Sequence, residues 1–490
     1  MPNTKEQVIS FNINNNTNGT IPMSIMGNNT DIMDNSNAST RYYWDLTGFS
    51  LTNEDTITIQ YQYTGQSGFS TASVKVQGTT LQSIADALNT LNIGTFFLTS
   101  SGGSTFLNNY NQNVAYGSLN ITNTISTINT TFVVGTGFNN IVGVNGSEGI
   151  AIQSDGKIIC CGFFTTYKST TSNNLIRLNT DGSIDTSFNV GTGFVGGYTT
   201  SIAIQTDGKI LVVGLFTSYN GTLANSIIRL NTDGSVDGSF VYGTGLIGEA
   251  SIVKIQTDGK ILVGGNFTSY NGTLANYIIR LNSNGSVDGT FVYGTGFSPL
   301  TGYPYSIAIQ TDGKILVGGN FTSYNGTGAN RIIRLNTNGS VDGSFVYGTG
   351  FIGVAQTVAI QTYGKILVGG NFTSYNGTGA NRIIRLNTNG SVDGSFVYGT
   401  GFNPFTVWKI AIQTDGKIVC GGSFTSYQGT GANSIIRLTT SGAIDTSFVY
   451  GTGFNSDVYS IALSFSQMYI GGDFTTFQGL SYPYIISLNQ

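Results

Sequence analysis

The feature that most constrains this chain is a segment that recurs with few changes through its last three-quarters. The copy that begins at Ile307 reads IAIQTDGKILVGGNFTSYNGTGANRIIRLNTNGSVDGSFVYGTGF. A degenerate last copy runs from Ser460 to Asn489. Repetition at a nearly fixed period is the signature of solenoids, propellers and other repeat architectures. The glycine of the turn that reads TDGK in most copies recurs at spacings of 52, 51, 54, 51 and 52 residues, as Gly156, Gly208, Gly259, Gly313, Gly364 and Gly416.

Each copy predicts four short β-strands. SIAIQ is short and mostly apolar, KILVGGNFTSY is rich in β-forming residues around a glycine pair, and RIIRLN and SVDGSFVYG follow. The links TDGK and NTDGS place Asp-Gly between strands, which is a strong hairpin signal. Four strands per repeat at this period are typical of a β-propeller, in which each repeat forms one blade. An open solenoid of hairpins is the alternative.

The two ends of the repeat region indicate a closed ring of seven blades. A strand ending in Ser-Phe or Thr-Phe occurs seven times, and its first copy, from Thr122 to Phe138, precedes any complete repeat. The last repeat stops at Gln490, after its third strand. Residues 128–135 should therefore complete the last blade, which removes open sheet edges. We expect a mainly β chain with a closed seven-bladed β-propeller over residues 121–490.

These residues resemble a known repeat family, the delta-60 repeats, whose members are described as β-propellers. The resemblance rests on the pattern IAIQTDGKILVGGNFT followed by IIRLNTDGSIDTSF and covers about residues 122–490. It implies the propeller fold and no particular activity, because the family has no settled one. This chain departs from the family in its shorter period and its extra N-terminal region.

The N-terminal region predicts an arm and a small separate module. Residues 1–40, rich in Asn and Thr, are expected to form an extended arm. Residues 41–120 are expected to form an α+β anchoring module of order β-β-α-β, with a hairpin from DTITIQYQYTG and STASVKVQG. Its helix would start after Thr79 or Thr80 and end before Gly94. The region is similar in sequence to small modules of tailed-phage structural proteins, and that resemblance implies an anchoring role.

Composition narrows the functions that remain open. Charged residues make up 9% of the chain, and its 20 basic and 24 acidic residues give a net charge of −4. We therefore expect no basic surface for binding nucleic acid. There is no His, the most common general base and metal ligand. No apolar run of 18 residues predicts a membrane helix. The first residues lack the apolar core of a signal peptide, and a virion protein would need none.

Neither the cysteines nor the Asp-Gly turns predict a metal or cofactor site. Cys160 and Cys420 occupy a position that holds Val263 in another repeat, and with Cys161 they are interpreted as small buried hydrophobes. The turn NTDGSVD resembles part of a propeller calcium loop, but Arg229 stands at the first ligand position. A cation at that position opposes Ca²⁺ binding. We therefore expect plain turns, no metal and no cofactor.

One Arg and one Asp recur in each repeat and are predicted to form structural ion pairs. The Asp follows the Arg by eight residues, as Asp237 follows Arg229. A three-residue turn with a left-handed glycine and a bulge would place both on one face. In the seventh copy Ser487 replaces the Arg and Asn129 replaces the Asp, so neither charge is left unpaired. Because a catalytic site is usually a singular feature, this recurrence favours a scaffold over an enzyme.

Differences between the repeats concentrate in the links that join one blade to the next. Chain direction places these links on one face, together with the NGTGAN loops, and places the TDGK and NTDGS turns on the other. Loops on a rigid scaffold usually carry binding residues, and aromatic platforms suit sugar or peptide contacts. Packing between loops is the alternative use of such rings. The candidate ligand-binding residues are Tyr305, Trp408, Tyr459, Tyr303, Phe405 and Tyr198.

We expect a non-enzymatic structural and recognition protein of a virion, or of an extracellular or cell surface. Its propeller would present a binding face to a surface glycan or protein, and its N-terminal region would contact other virion proteins. It would bind no nucleic acid and would insert into no membrane. The alternatives are a glycan-active propeller enzyme and an intracellular scaffold that binds proteins.

Overall fold

The computed structural model describes residues 128–144, 146–298 and 302–490, together with one helix and eight strands before them. The chain separates into two compact units, Met1–Ser126 and Thr127–Gln490. Among the described residues, no helix is long and apolar enough to cross a membrane. The second unit contains the repeats.

The first unit contains the β-β-α-β order that its sequence predicts. Strands Thr56–Tyr63 and Ser70–Lys75 form an antiparallel hairpin, helix Gln82–Asn89 follows, and strand Thr95–Ser101 comes next. Ala85 and Leu88 of the helix are buried. The expected helix boundaries at Thr79, Thr80 and Gly94 lie outside the described residues. The remaining strands of this unit are Ile9–Asn15, Thr17–Met26, Arg41–Asp45, Ser104–Tyr110 and Val114–Thr122.

The segment expected to be an extended arm includes a paired hairpin. Strand Ile9–Asn15 pairs with Thr17–Met26, which in turn pairs with Arg41–Asp45. The other residues of the segment 1–40 lie outside the described residues. The two strands therefore belong to the same sheet as the module that follows them.

The second unit is built from seven sheets with the same three-strand order, which we number 1 to 7 along the chain. In every sheet the second strand lies between the first and the third, antiparallel to both. The first strands are Ile150–Ile152, Tyr198–Ile204, Leu246–Ile255, Pro304–Ile309, Ala355–Ile360, Val407–Ile412 and Val458–Leu463. The second strands are Ile158–Cys161, Ile210–Leu215, Ile261–Tyr270, Ile315–Gly319, Ile366–Gly370, Ile418–Gly422 and Gln467–Gly472. The third strands are Leu175–Leu178, Ile227–Leu230, Ile278–Leu281, Ile332–Leu335, Ile383–Leu386, Ile435–Leu438 and Ile485–Asn489.

A short hairpin lies beyond the second strand of each sheet. The two-residue strands that form these hairpins, or that pair with them, are Thr166–Tyr167, Thr170–Thr171, Phe194–Val195, Ser218–Tyr219, Thr222–Leu223, Thr273–Leu274, Ser323–Tyr324, Thr327–Gly328, Phe351–Ile352, Ser374–Tyr375, Thr378–Gly379, Phe402–Asn403, Ser426–Tyr427, Thr430–Gly431, Thr476–Phe477 and Leu480–Ser481. A 3₁₀ turn, Thr362–Gly364, connects the first two strands of sheet 5.

Two details differ from the sequence prediction. The segment KILVGGNFTSY forms one continuous strand in sheet 3, Ile261–Tyr270, but in sheet 4 it breaks after Gly319. A Cβ on Gly319 would lie 2.4 Å from the carbonyl oxygen of Tyr303, so the chain approaches its neighbour closely at the break. The predicted fourth strand is reduced to a single bridge, such as Leu335 with Val341, because the chain turns again directly after the Asp.

In sheet 7 the position of that bridge is filled from the start of the unit. Ile128 bridges Leu488, and the backbone N–H of Asn129 donates to the carbonyl oxygen of Ser487 at 2.8 Å. The sequence predicted this pairing from the missing last strand. The segment then moves to sheet 1, where the N–H of Val133 donates to the carbonyl oxygen of Asp181.

The hydrophobic core lies between neighbouring sheets. Each cluster of buried side chains combines the second and third strands of one sheet with residues of the sheet before it. One such cluster joins Tyr469 and Ile485 of sheet 7 to Ile158 and Cys160 of sheet 1. The three cysteines are free and fully buried, in agreement with their interpretation as small buried hydrophobes. Burial raises the pKa of the Cys161 thiol to about 12, although a contact with Thr199 opposes the rise.

The repeated Arg and Asp form buried ion pairs in all six copies, with Arg Nε 2.6–2.7 Å from the Asp Oδ2. The turn has the predicted form, since Gly234 has φ 87° and the N–H of Asp237 donates to the carbonyl oxygen of Arg229. In sheet 7 the neutral pair takes over, with Asn129 Nδ2 donating to Ser487 Oγ at 3.1 Å. The sequence prediction of structural pairs is therefore confirmed.

Candidate functional site

The aromatic side chains predicted from the links lie where the links enter the first strands. Tyr198 opens the first strand of sheet 2, and Trp408 and Tyr459 each stand second in the first strands of sheets 6 and 7. Tyr303 directly precedes the first strand of sheet 4, in which Tyr305 is the second residue. All five are partly buried. We call this side of the second unit the link face.

Three of these aromatic residues gather around one carboxylate. The rings of Tyr303 and Tyr305 have centroids 5.0 Å apart. Tyr198 makes a hydrogen bond with the carboxylate of Glu249, whose charge also acts on both other tyrosines. Burial raises the pKa of Glu249, and the bond with Tyr198 opposes that rise. Burial and the Glu249 charge raise the pKa of Tyr198 to about 12. We call these four residues the tyrosine cluster.

A second cluster joins sheets 6 and 7. The ring of Trp408 meets that of Tyr459 edge to face, with centroids 5.8 Å apart. The Tyr459 hydroxyl donates to Asp457 Oδ2 at 3.2 Å. Burial raises the pKa of Asp457, and the hydrogen bond from Tyr459 opposes the rise. We call these three residues the tryptophan cluster.

Phe405 belongs to neither cluster. Its side chain is 62% exposed on the link between sheets 5 and 6, and its φ of 69° is left-handed. The structure therefore brings five of the six predicted residues together in two groups and leaves Phe405 alone on the surface.

Between the clusters lies a charged group that sequence analysis did not predict. The ammonium groups of Lys254 and Lys409 lie 2.8 and 2.6 Å from the same oxygen, Oε1 of Glu148. Burial raises the pKa of Glu148, but the two lysines outweigh it and hold that pKa well below its usual range. Burial lowers the pKa of Lys409, and Glu148 opposes that shift. We call this group the charged triad.

The charged triad was detectable in principle as a departure from the repeat. Lys254 stands at the strand position that holds Ala203 in sheet 2, and Lys409 at the position that holds Ser201. The equivalent positions of the other sheets carry Ala, Ser or Thr, apart from Gly149 in sheet 1 and Ile252 in sheet 3. The sequence prediction rested on the links between repeats, so it did not include these two lysines within the strands.

One link runs past all three groups. This link, residues 139–149, leads into the first strand of sheet 1, and its described residues are 139–144 and 146–149. Gly146 lies so close to Trp408 that a Cβ on it would be 2.3 Å from the Trp408 carbonyl oxygen. Ser147 of the same segment lines a small cavity of about 20 Å³ with Tyr303 and Tyr305. Glu148 then reaches the two lysines. This link therefore connects the two aromatic clusters through the charged triad.

The link face offers aromatic rings beside carboxylates. The rings present flat apolar surfaces, and the carboxylates accept hydrogen bonds from hydroxyl donors. Nearby, the amide oxygen of the buried Gln356 side chain has no hydrogen-bond partner among the described residues. Buried polar atoms usually find a partner, so a donor on a bound molecule or water suits this position.

The opposite face carries the TDGK and NTDGS turns, whose carboxylates accept hydrogen bonds from backbone and side-chain groups of the protein. Asp233 Oδ1 accepts hydrogen bonds from the N–H and the hydroxyl of Ser235. Asp237 is bound by Arg229 and by Lys209. Among the described residues, no group of three or more His, Cys, Asp or Glu side chains is placed to hold a metal ion.

Comparison with protein families identifies the repeats. A family model described as "Domain of unknown function (DUF5122) beta-propeller" matches six segments of the chain. These six segments are therefore β-propeller repeats, in agreement with the family type that the sequence resembles. The matched segments are residues 153–188, 205–240, 256–291, 310–345, 364–396 and 413–448.

Comparison with solved structures finds distant similarity. A gluconolactonase from Xanthomonas campestris shares 13% identity, with 60% of this chain and 84% of that chain covered and a TM-score of 0.33. YCF48 from Cyanidioschyzon merolae shares 12% identity, with 72% and 97% covered and a TM-score of 0.33. No curated protein matches the sequence.

Proposed function

We propose that residues 127–490 form a closed seven-bladed β-propeller whose link face binds a surface glycan without catalysing a reaction. In this proposal each of the seven sheets is one blade. The single observation that carries the binding function is the arrangement of two aromatic clusters, each with a half-buried carboxylate, on either side of the charged triad. A protein surface is the alternative ligand.

Contacts between the first and last sheets support closure of the ring. The first strand of sheet 7 lies against the first strand of sheet 1, as neighbouring first strands do elsewhere in the unit. Side chains of these two sheets share one hydrophobic cluster. The bridge between Ile128 and Leu488 adds the missing edge pairing. A ring of this kind leaves no long open edge for aggregation.

The chemistry of the link face suits a neutral or weakly charged carbohydrate. A sugar ring presents C–H groups that pack on an aromatic face, and its hydroxyls can donate to Glu249 and Asp457. Both carboxylates have raised pKa values and keep unmet capacity as acceptors, since each is described with one or two donors and has two oxygens. Sites of this type combine apolar lining with a few placed polar groups.

One observation favours a glycan-active enzyme as the second candidate. Glu249 has a raised pKa and bonds to Tyr198, and glycosidases with a tyrosine nucleophile are known. The same pairing raises the pKa of Tyr198 to about 12, which makes its nucleophilic phenolate scarce at neutral pH. Binding without turnover therefore fits the electrostatics better. Release of reducing sugar from a bound glycan, abolished by Tyr198→Phe, would establish the enzyme instead.

The binding proposal is tested on a glycan array with the full chain. Replacing Tyr305, Trp408 and Tyr459 together by Ala should abolish binding to any glycan that the unmodified protein retains, because the stacking surfaces are lost. The melting temperature should change little, since all three side chains are partly exposed. Phe465→Ala removes a 93% exposed ring from the opposite face and is the control. Retained binding in the triple variant would overturn the proposal.

We also propose that the protein belongs to a virion, or otherwise to an extracellular or cell surface, with the N-terminal unit as its anchor. Two features support the proposal. The first is the proposed binding face, which has no redox or metal chemistry among the described residues. The second is the sequence of the N-terminal region, which is similar to small modules of tailed-phage structural proteins. An intracellular scaffold is the alternative. We expect capsid or tail genes beside the coding sequence. We also expect mass spectrometry to detect the protein in purified virus particles. Confinement of the protein to the host cytoplasm would contradict the proposal.

A further inference from the structure

Sheets 4 and 5 provide an internal comparison of nearly identical sequences. Residues 307–351 and 358–402 differ at two positions. One difference, Ile307 against Val358, removes a methylene group from the core. The other, Asp312 against Tyr363, replaces a charged turn residue by an aromatic one. The second change therefore isolates what a single tyrosine adds to an otherwise repeated surface.

Tyr363 is unfavourable for the turn that carries it. Asp312 Oδ1 accepts a hydrogen bond from the N–H of Lys314 at 3.1 Å, and the equivalent Asp does so in sheets 1, 2, 3 and 6. Tyr363 has no side-chain acceptor at that place and adopts a φ of 66°, a left-handed conformation that bulky residues rarely adopt. Strain of this kind persists where surrounding structure imposes it and is concentrated at functional sites.

The ring of Tyr363 is presented to solvent at the edge of a cleft. Its side chain is 93% exposed. The cleft measures about 650 Å³, lies between the turns of sheets 4 and 5, and is lined by Tyr363 together with amide and hydroxyl groups. The equivalent cleft between sheets 3 and 4 measures about 380 Å³ and has no aromatic lining. The polar residues that matter here are Gln310, Thr311, Asp312, Gln361, Thr362 and Asn389.

The cations at this cleft are occupied by partners inside the protein. Arg334 donates to Asp342, Ser344 and the carbonyl oxygen of Thr388. Lys314 lies 3.0 Å from the same Asp342. Neither cation is available to neutralise an anionic ligand without breaking these contacts. Among the side chains that line the cleft, only those of Ile360 and Tyr363 are apolar, so a hydrophobic peptide anchor would find few apolar side chains there.

We propose that this cleft is a second binding site, for a neutral oligosaccharide, in which Tyr363 is the stacking platform. A sugar ring would pack on the exposed face of Tyr363. The amide oxygens of Gln310 and Gln361 accept from Arg334 and Arg385, so the ligand hydroxyls would accept from the amide N–H groups of the two Gln and donate to the carboxylate of Asp312. The site lies on the face opposite the link face and does not depend on it. Its chemistry explains why a residue unsuited to the turn stands there.

The test compares Tyr363→Asp with the unmodified full chain. This change restores the turn of sheet 4, so the melting temperature should stay equal or rise. The probe is a glycan array of neutral oligosaccharides, followed by titration of the strongest binder from it. We expect at least a tenfold loss of affinity in Tyr363→Asp for that oligosaccharide. Phe465→Ser, which removes another ring of 93% exposure, should leave the affinity unchanged.

The outcomes separate this site from the link face. An oligosaccharide that binds Tyr363→Asp as well as the unmodified protein overturns the second site. An oligosaccharide that binds Tyr363→Asp more weakly but still binds the Tyr305, Trp408 and Tyr459 triple variant supports the second site. This result holds whether or not the link face binds a glycan. Failure of every neutral oligosaccharide to bind, with retention of an aromatic-rich peptide by the cleft, overturns the carbohydrate assignment.

Discussion

At the scale of single residues, the repeated Asp binds several partners at once. Asp237 Oδ2 forms ion pairs with Arg229 Nε at 2.7 Å and with Lys209 Nζ at 3.0 Å. Its other oxygen, Oδ1, accepts hydrogen bonds from the N–H and the hydroxyl of Ser239. The Arg also donates to the carbonyl oxygen of Ser283 in the next sheet. Its guanidinium carbon lies 4.7 Å from the centroid of a Phe ring. One buried network therefore joins two sheets, and the pattern recurs around the repeats.

Removing one member of that network should be costly. Asp237→Ala leaves Arg229 buried without its carboxylate, and we expect a loss of about 3–5 kcal/mol in the free energy of unfolding. Urea denaturation at neutral pH measures it. The double variant Arg229→Ser with Asp237→Asn copies the neutral pair of Ser487 and Asn129 and should recover most of the loss. A single variant as stable as the double one would contradict the buried-charge argument.

The same carboxylates predict loss of stability in acid. Burial raises the pKa of Asp237, but hydrogen bonds from Ser239, Lys209 and Arg229 outweigh it and hold the pKa well below its usual range. Unfolded Asp titrates near pH 4, about 3.9. Because the folded pKa is lower, the stabilisation is present above that pH and is lost as pH falls through the folded pKa.

We therefore expect the urea midpoint to fall steeply below about pH 4. The double variant Arg229→Ser with Asp237→Asn should show a shallower fall, because one depressed Asp is absent from it. Denaturation series between pH 2 and pH 7 compare the two proteins. A midpoint that stays level down to pH 2 would show that the folded and unfolded pKa values are the same.

At the scale of elements, the link 139–149 depends on a charge at its end. Glu148 is the partner of both Lys254 and Lys409, and the Lys409 side chain is only 10% exposed. Glu148→Gln leaves two ammonium groups crowded without a counter-charge. We expect a loss of about 1–3 kcal/mol in unfolding free energy, measured in urea. Faster cleavage of this link by protease should accompany it.

A compensating variant provides the control for this element. Ser201, Ser306 and Ser460 occupy the position of Lys409 in other sheets. Adding Lys409→Ser to Glu148→Gln should restore part of the stability, since the most buried cation is removed. If the double variant is less stable than Glu148→Gln, the charge balance of the triad is not what holds the link.

At the scale of the whole molecule, the proposed closure can be tested with a covalent bond across the junction. Ile128 and Leu488 are 360 positions apart in the chain and face each other in one bridge. Replacing both by Cys should give a disulfide that raises unfolding stability by about 2–4 kcal/mol, reversed by a reductant. Ile128→Cys alone is the control. The native cysteines are fully buried and should not compete. Absence of a crosslink under oxidising conditions would contradict the pairing of the two ends.

Much of this architecture could be predicted because its causes are local. The Asp-Gly and Asn-Gly turns recur in most copies and the eight-residue spacing of Arg and Asp in six, so turn geometry alone placed Asp237 beside Arg229. The reduction of the fourth strand to one bridge was not predicted. It depends on the chain turning toward the next sheet, where the N–H of Val241 bonds to the carbonyl oxygen of Asn284.

The sequence by itself determined the repeat, its strand order, its ion pairs and the aromatic content of the links. Only the tertiary structure decided which of those link residues meet. Glu148 lies 106 residues from Lys254 and 261 from Lys409, and Tyr198 and Glu249 come from the first strands of different sheets. Short-range turn and strand preferences act over a few residues, whereas these distances depend on how several sheets pack side by side. The hydrophobic cores between sheets determine this packing. Side chains that are remote in sequence therefore come into contact, and no rule based on residue spacing predicts such contacts.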